Sequence, residues 1–86
     1  MFKGKQIGVA ILSYNAERTI EKTIRDIPKD IVDCVILFDD GSKDNTVYIA
    51  ERLGVKSYTQ PLNLGYGINL KRALTTMLKE GMDIKN

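Results

Sequence analysis

Three short stretches hold the residues best equipped for chemistry: Tyr14-Asn15-Ala16-Glu17, Asp39-Asp40-Gly41-Ser42 and Asn63-Leu64-Gly65-Tyr66-Gly67. In the first, the flat Tyr14 ring can stack on a nucleobase, and the Asn15 amide can cap a helix or bond a ligand. A helix cap beside a half-buried tyrosine accounts for the same residues. In the second, two neighbouring carboxylates can accept hydrogen bonds from a base N–H or from ribose hydroxyls, while Gly41 permits a sharp turn at positive φ. A turn in which Asp39 caps backbone amides and Asp40 is solvated stands equally open. In the third, Gly65 and Gly67 imitate the start of a dinucleotide fingerprint, but its third glycine position is Leu70 and the loop follows the wrong strand, so nicotinamide and flavin sites are excluded. Lys71 falls one turn inside the next helix, where it reaches a diphosphate or is a plain surface lysine.

What is missing narrows the chemistry further. The chain has no histidine, which removes the commonest general base, the imidazole metal ligand and any Ser-His or Cys-His pair. Its single cysteine, Cys34, lies in an apolar run, reads as a buried thiol and cannot form an intramolecular disulfide, which favours a reducing, cytoplasmic setting. No Gly-x-x-x-x-Gly-Lys-Ser/Thr loop occurs. Two carboxylates without a further acidic ligand make a weak metal site.

The elements that must position these loops follow from periodicity. Residues 6–13 (QIGVAILS) and 32–38 are near-continuous apolar runs, as in strands covered on both faces, and residues 55–60 form a shorter third strand closed by Pro61. Ile20, Ile24 and Ile27 mark a helix over residues 17–27 that Pro28 stops. Asp44 or Asn45 caps a second helix, with Val47, Ile49, Ala50 and Leu53 apolar and Gly54 at its end. From Tyr66 or Gly67, the residues Leu70, Leu74, Met77 and Leu78 mark one face of a third helix ending at Gly81. The pattern is βαβαβα with short connections, an α/β architecture whose right-handed crossovers build a three-layer, Rossmann-like parallel sheet. Such sheets bind ligands beyond the carboxyl ends of their strands, which is where the three stretches fall.

Composition agrees with one small domain over residues 1–86: 43% of residues are apolar and 28% charged. Thirteen Lys and Arg against eleven Asp and Glu leave a net charge of +2, too balanced for a nucleic-acid binder. No apolar stretch approaches the roughly 20 residues of a membrane span, and the start Met1-Phe2-Lys3-Gly4-Lys5 is not followed by a signal-peptide core.

Taken together, VAILSYNAERTI (9–20), VILFDDGSKDNT (35–46) and QPLNLGYG (60–67) resemble the N-terminal, nucleotide-binding half of family 2 glycosyltransferases, the inverting enzymes of the GT-A fold. Asn63-Leu64-Gly65-Tyr66-Gly67 is most similar to the branch that transfers a sugar to a polyprenyl phosphate. The resemblance implies a nucleotide-diphosphate sugar donor of UDP or GDP type, with Tyr14 and Asn15 beside the nucleoside, Glu17 near the base or supporting its loop, and Asp39 and Asp40 on base and ribose. It places Asn63, Gly65 and Lys71 near the diphosphate. One departure is Leu12, where many members have proline. A larger one concerns a fourth strand, which in the family delivers an Asp-x-Asp motif holding Mg²⁺ or Mn²⁺; here Met82-Asp83-Ile84-Lys85-Asn86 stops where that strand would start. The sequence therefore reads as half of a GT-A fold, strand order 3-2-1, truncated before the fourth strand and without metal carboxylates or a catalytic base of its own. Transfer by this chain alone is not expected, and a full-length enzyme would be cytoplasmic or membrane-associated. An exposed first-strand edge implies a homodimer, and the competing function is a non-catalytic dimerising scaffold derived from a glycosyltransferase.

Overall fold

The computed structural model describes residues 6–81 and 83–85. The N-terminal pentapeptide read for a signal sequence, together with Met82 and Asn86, lies outside the described residues. Four parallel strands form one sheet in the order β3-β2-β1-β4: β1 (Ile7–Ser13), β2 (Cys34–Asp39), β3 (Lys56–Thr59) and β4 (Asp83–Lys85). Three helices connect them, α1 (Ile20–Arg25), α2 (Thr46–Arg52) and α3 (Tyr66–Lys79).

The two apolar runs form the central strands because both of their faces are covered. Along β2, Leu37 faces one layer, where it packs with Ile11, Ile20, Ile24, Ala50 and Val55 under α1 and α2. Its neighbours Ile36 and Phe38 face the opposite layer and meet Ala73 and Met77 of α3. Phe38 stacks on Tyr58 of β3 with ring centroids 5.5 Å apart. The result is the three-layer architecture expected, with two helices on one face and one on the other.

Three readings are corrected. The sheet does not stop at three strands: Asp83, Ile84 and Lys85 pair in parallel with Ile7, Gly8 and Val9, so the fourth strand has begun and covers part of the first-strand edge thought to be exposed. A three-residue strand is too short to show a period of two, and only its pairing reveals it. Second, α1 is shorter than residues 17–27. Its start is delayed because Asn15 holds φ at +50° and the amides of Ala16 and Glu17 donate to Thr46 Oγ1 and Asp44 rather than to the preceding turn. Its end precedes Pro28, which disfavours helix at Ile27. Third, α3 buries Met77 of the expected face but together with Asn69 and Ala73, while Leu74 is 38% and Leu78 is 66% exposed. The small Ala73 lets the helix sit close on Ile36 and Phe38, which turns the leucine stripe towards the open side of β1.

Candidate functional site

The carboxyl ends of β1, β2 and β3 bring the three loops together. Leu12, Ser13, Tyr14, Asp40, Asn63, Gly65, Tyr66 and Asn69 line a cleft of about 220 Å³. Four of the residues singled out in the sequence thus share one cavity: Tyr14, Asp40, Asn63 and Gly65. Tyr14 leaves 46% of its surface exposed, so its ring is available to a ligand.

Asn15 and Glu17 stand one step back and tie the first loop to the second. Asn15 Oδ1 accepts from the Lys43 amide at 2.9 Å, and Glu17 Oε1 accepts from the Asn45 amide at 3.3 Å. The Asn15 amide in turn donates to Ser42 Oγ at 2.7 Å. At the start of α2 the cap is Asp44, whose Oδ1 accepts from the Thr46 amide at 3.0 Å; Asn45 makes no side-chain cap bond. The Thr46 hydroxyl, the largest influence, joins in holding the Asp44 carboxyl below its ordinary value.

The two adjacent acids have different surroundings. Asp39 is fully buried and does not line the cleft. Its Oδ1 accepts from the hydroxyls of Ser13 and Ser42, and its Oδ2 from the Ser42 amide at 2.7 Å and Thr59 Oγ1 at 3.2 Å. Four donors replace water around a buried charge, which is the condition for keeping it there. Asp40 faces the cleft and binds the third loop: Gln60 Nε2 at 2.7 Å and the Leu64 amide at 2.9 Å on Oδ1, and the Gly65 amide at 2.9 Å on Oδ2. Asp39 thus draws β1, β2 and β3 together, and Asp40 sets the mouth of α3.

Two glycines make this approach possible. Gly41 holds φ at +80°, and a Cβ there would lie 2.8 Å from the Leu62 carbonyl carbon and 2.9 Å from the Asn63 nitrogen. Gly65, at φ +100°, turns its N–H to Asp40 as the chain enters α3. Lys71 is exposed and does not line the cleft.

Sequence reasoning missed Asn69 and Arg72. Asn69 is buried at the cleft wall and donates Nδ2 to the Phe38 carbonyl at 2.8 Å. Arg72 is half-buried; its Nη2 donates to the Asp39 carbonyl at 3.0 Å, to the Tyr58 carbonyl at 3.4 Å and to Asn69 Oδ1 at 2.8 Å. Its guanidinium carbon stands 5.7 Å from the Phe38 ring centroid. Burial lowers its pKa, against the opposing influence of Asp40 and Asp39. The available signal was two polar residues three apart on the face of α3 opposite the leucines.

The chain matches the sequence profile of "Glycosyl transferase family 2" over residues 8–78, and it belongs to that family. It is 42% identical over 62 residues to an uncharacterized glycosyltransferase of Rickettsia typhi, covering 72% of this chain and 20% of that protein. An uncharacterized protein of Methanocaldococcus jannaschii is 34% identical over 62 residues, 72% of this chain and 26% of its own. Among solved structures, glucosyl-3-phosphoglycerate synthase from Mycobacterium tuberculosis, in complex with Mn²⁺, UDP and glucosyl-3-phosphoglycerate, aligns at TM-score 0.75 and 31% identity, over 85% of this chain and 30% of that one. The chain therefore spans about a fifth to a third of the length of these relatives.

The Mn²⁺ of that relative raises the question of a metal here. Among the described residues no group of three or more His, Cys, Asp or Glu can hold a metal ion; Asp39 is buried among four protein donors and Asp40 already accepts from three. The described site does not fit a metal centre. No helix of the described part is long and apolar enough to cross a membrane.

Proposed function

We propose that this chain forms the nucleoside-facing part of a donor site for a nucleotide-diphosphate sugar, within an inverting glycosyltransferase. The observation that carries the reading is the single cleft in which Tyr14, Asp40, Asn63 and Gly65 meet at the carboxyl ends of parallel strands. The UDP bound in the mycobacterial relative supports it. The Tyr14 ring offers a stacking face to the base, and Asp40, at the cleft wall with a single protein donor on Oδ2, can accept a further bond there from a base N–H or a ribose hydroxyl. The first amides of α3, which follow Gly65, present the positive end of a 14-residue helix to the diphosphate, with Lys71 on its second turn. Asp39, Asn15 and Glu17 hold the loops in register. These residues bind and orient; they supply neither a metal nor a base for the transfer step.

UDP is the first donor to test, and GDP the second. For the acceptor, Asn63-Leu64-Gly65-Tyr66-Gly67 favours a polyprenyl phosphate, whereas the mycobacterial relative carries glucosyl-3-phosphoglycerate. Calorimetry with UDP, GDP and uridine, with amide chemical-shift mapping, tests the reading. Shifts should concentrate at Tyr14, Asp40, Asn63 and Gly65, and Lys71→Ala should weaken UDP about fivefold while leaving uridine unchanged, as a charge worth ~1 kcal/mol at a helix N-terminus would. Absence of heat and of shifts with all three at millimolar ligand would refute it.

A further inference from the structure

Neither Asn69 nor Arg72 is needed to close α3, yet both reach out of the helix to the end of β2. Asn69 takes the Phe38 carbonyl, and Arg72 takes the next one, Asp39, which already accepts the Gln60 amide at 3.1 Å. The two side chains are joined by the 2.8 Å bond from Arg72 Nη2 to Asn69 Oδ1. The Tyr58 carbonyl adds β3 to the same guanidinium. One turn of α3 therefore grips consecutive carbonyls beneath the two acids. Those acids in turn hold the amides of Ser42, Leu64 and Gly65. A half-buried cation beside two buried carboxylates also offsets the charge that the Asp39-Asp40 turn concentrates.

We propose that Arg72 and Asn69 are positioning residues for the donor site: they latch α3 to the end of β2 and so set the orientation of Asp40 and the entrance to the helix. The inference rests on the nucleotide reading for its functional meaning, but its structural content can be tested separately. All three contacts come from one nitrogen, Nη2, at the far end of the guanidinium; a lysine at position 72 keeps a positive charge but is one atom shorter and has no planar group beside the Phe38 ring. Arg72→Lys should therefore be intermediate and Arg72→Met severe.

The experiment is residue-resolved amide hydrogen exchange on the 86-residue chain and its Arg72→Met, Arg72→Lys and Asn69→Ser variants, with UDP calorimetry on the same samples. Expected is a loss of protection of about tenfold or more at Ser42, Leu64 and Gly65, with Ile49 and Leu53 of the α2 region unchanged, and UDP affinity falling in the order wild type, Lys, Met. A uniform fall across all these amides, or none at Ser42, Leu64 and Gly65, overturns the proposal by reducing the pair to general stability. If Arg72→Met does not fold, Arg72→Lys and Asn69→Ser carry the same comparison. A local loss of protection in the variants, with a wild type that does not bind UDP, would uphold the latch and remove the nucleotide reading instead.

Discussion

Asp40 shows how one side chain can belong to both architecture and site. Its carboxylate lines the cleft, yet it also accepts from Gln60, Leu64 and Gly65 and is 4% exposed. Asp40→Ala would take the acceptor from three part-buried donors, and a hydrogen bond to a charged group is worth about 1.5–3 kcal/mol. The expected loss in urea unfolding is about 3 kcal/mol or more, whereas Asp40→Asn, which keeps an acceptor, should lose less than half as much. Equal losses in the two variants would show that the carboxylate oxygens are not what holds the third loop. The sequence identified this residue but left it open between a ligand and solvent; the structure removes the solvated reading, because Asp40 is buried at the cleft wall and holds the third loop.

At the scale of elements, α2 begins on a carboxylate and α3 packs on an unexpected face. The Thr46 hydroxyl and amide stabilise ionised Asp44, so its folded pKa lies below the ordinary 3.8. The sign follows directly: the stabilisation is present above pH 3.8 and is lost as pH falls through the lower folded value. Thermal unfolding followed below pH 4 should lose a component that Asp44→Asn lacks; coincident acid limbs for the two proteins would exclude this cap. For α3, Ala73 is 1% exposed against Ile36 and Phe38 whereas Leu78 is 66% exposed. Ala73→Leu should overpack the layer and destabilise by about 1–3 kcal/mol, while Leu78→Lys should stay within about 0.5 kcal/mol. The reverse ranking in chemical denaturation would restore the leucine face as the core.

For the molecule as a whole, the open side of the sheet matters most. Tyr66, Leu70 and Leu74 border a groove of about 400 Å³ with Ala10 and Leu12, and Leu78 continues the apolar stripe. Among the described residues β4 pairs only with residues 7–9 of β1, so residues 10–13 have no strand beside them on that side. The homodimer inferred from the first-strand edge therefore persists as a proposal resting on a shorter edge and on the leucine stripe. Equilibrium sedimentation at tens of micromolar should give a mass above 9.7 kDa, reverting to that value in a Leu74→Lys, Leu78→Lys double variant. A monomeric wild type would retire the dimer.

The α/β class, the strand order 3-2-1 and the three loops were all legible from residue order. Near-continuous β-branched runs of this length read as buried strands, Asp-Asp-Gly after one reads as a turn at a strand end, and Asn-x-Gly after another marks the turn into a helix. What tertiary structure alone decided was which groups face each other. The choice between the leucine face and the Asn69-Ala73-Met77 face of α3 depends on how closely the helix can approach Phe38, a property of the partner and not of the helix. Likewise the withdrawal of Asp39 into a shell of hydroxyls that includes Ser13, and the reach of Arg72 to the carbonyl of that same residue, join positions 26 and 33 apart in the chain. No local periodicity encodes such a pairing, because burial of a charge is settled by the donors that folding gathers around it.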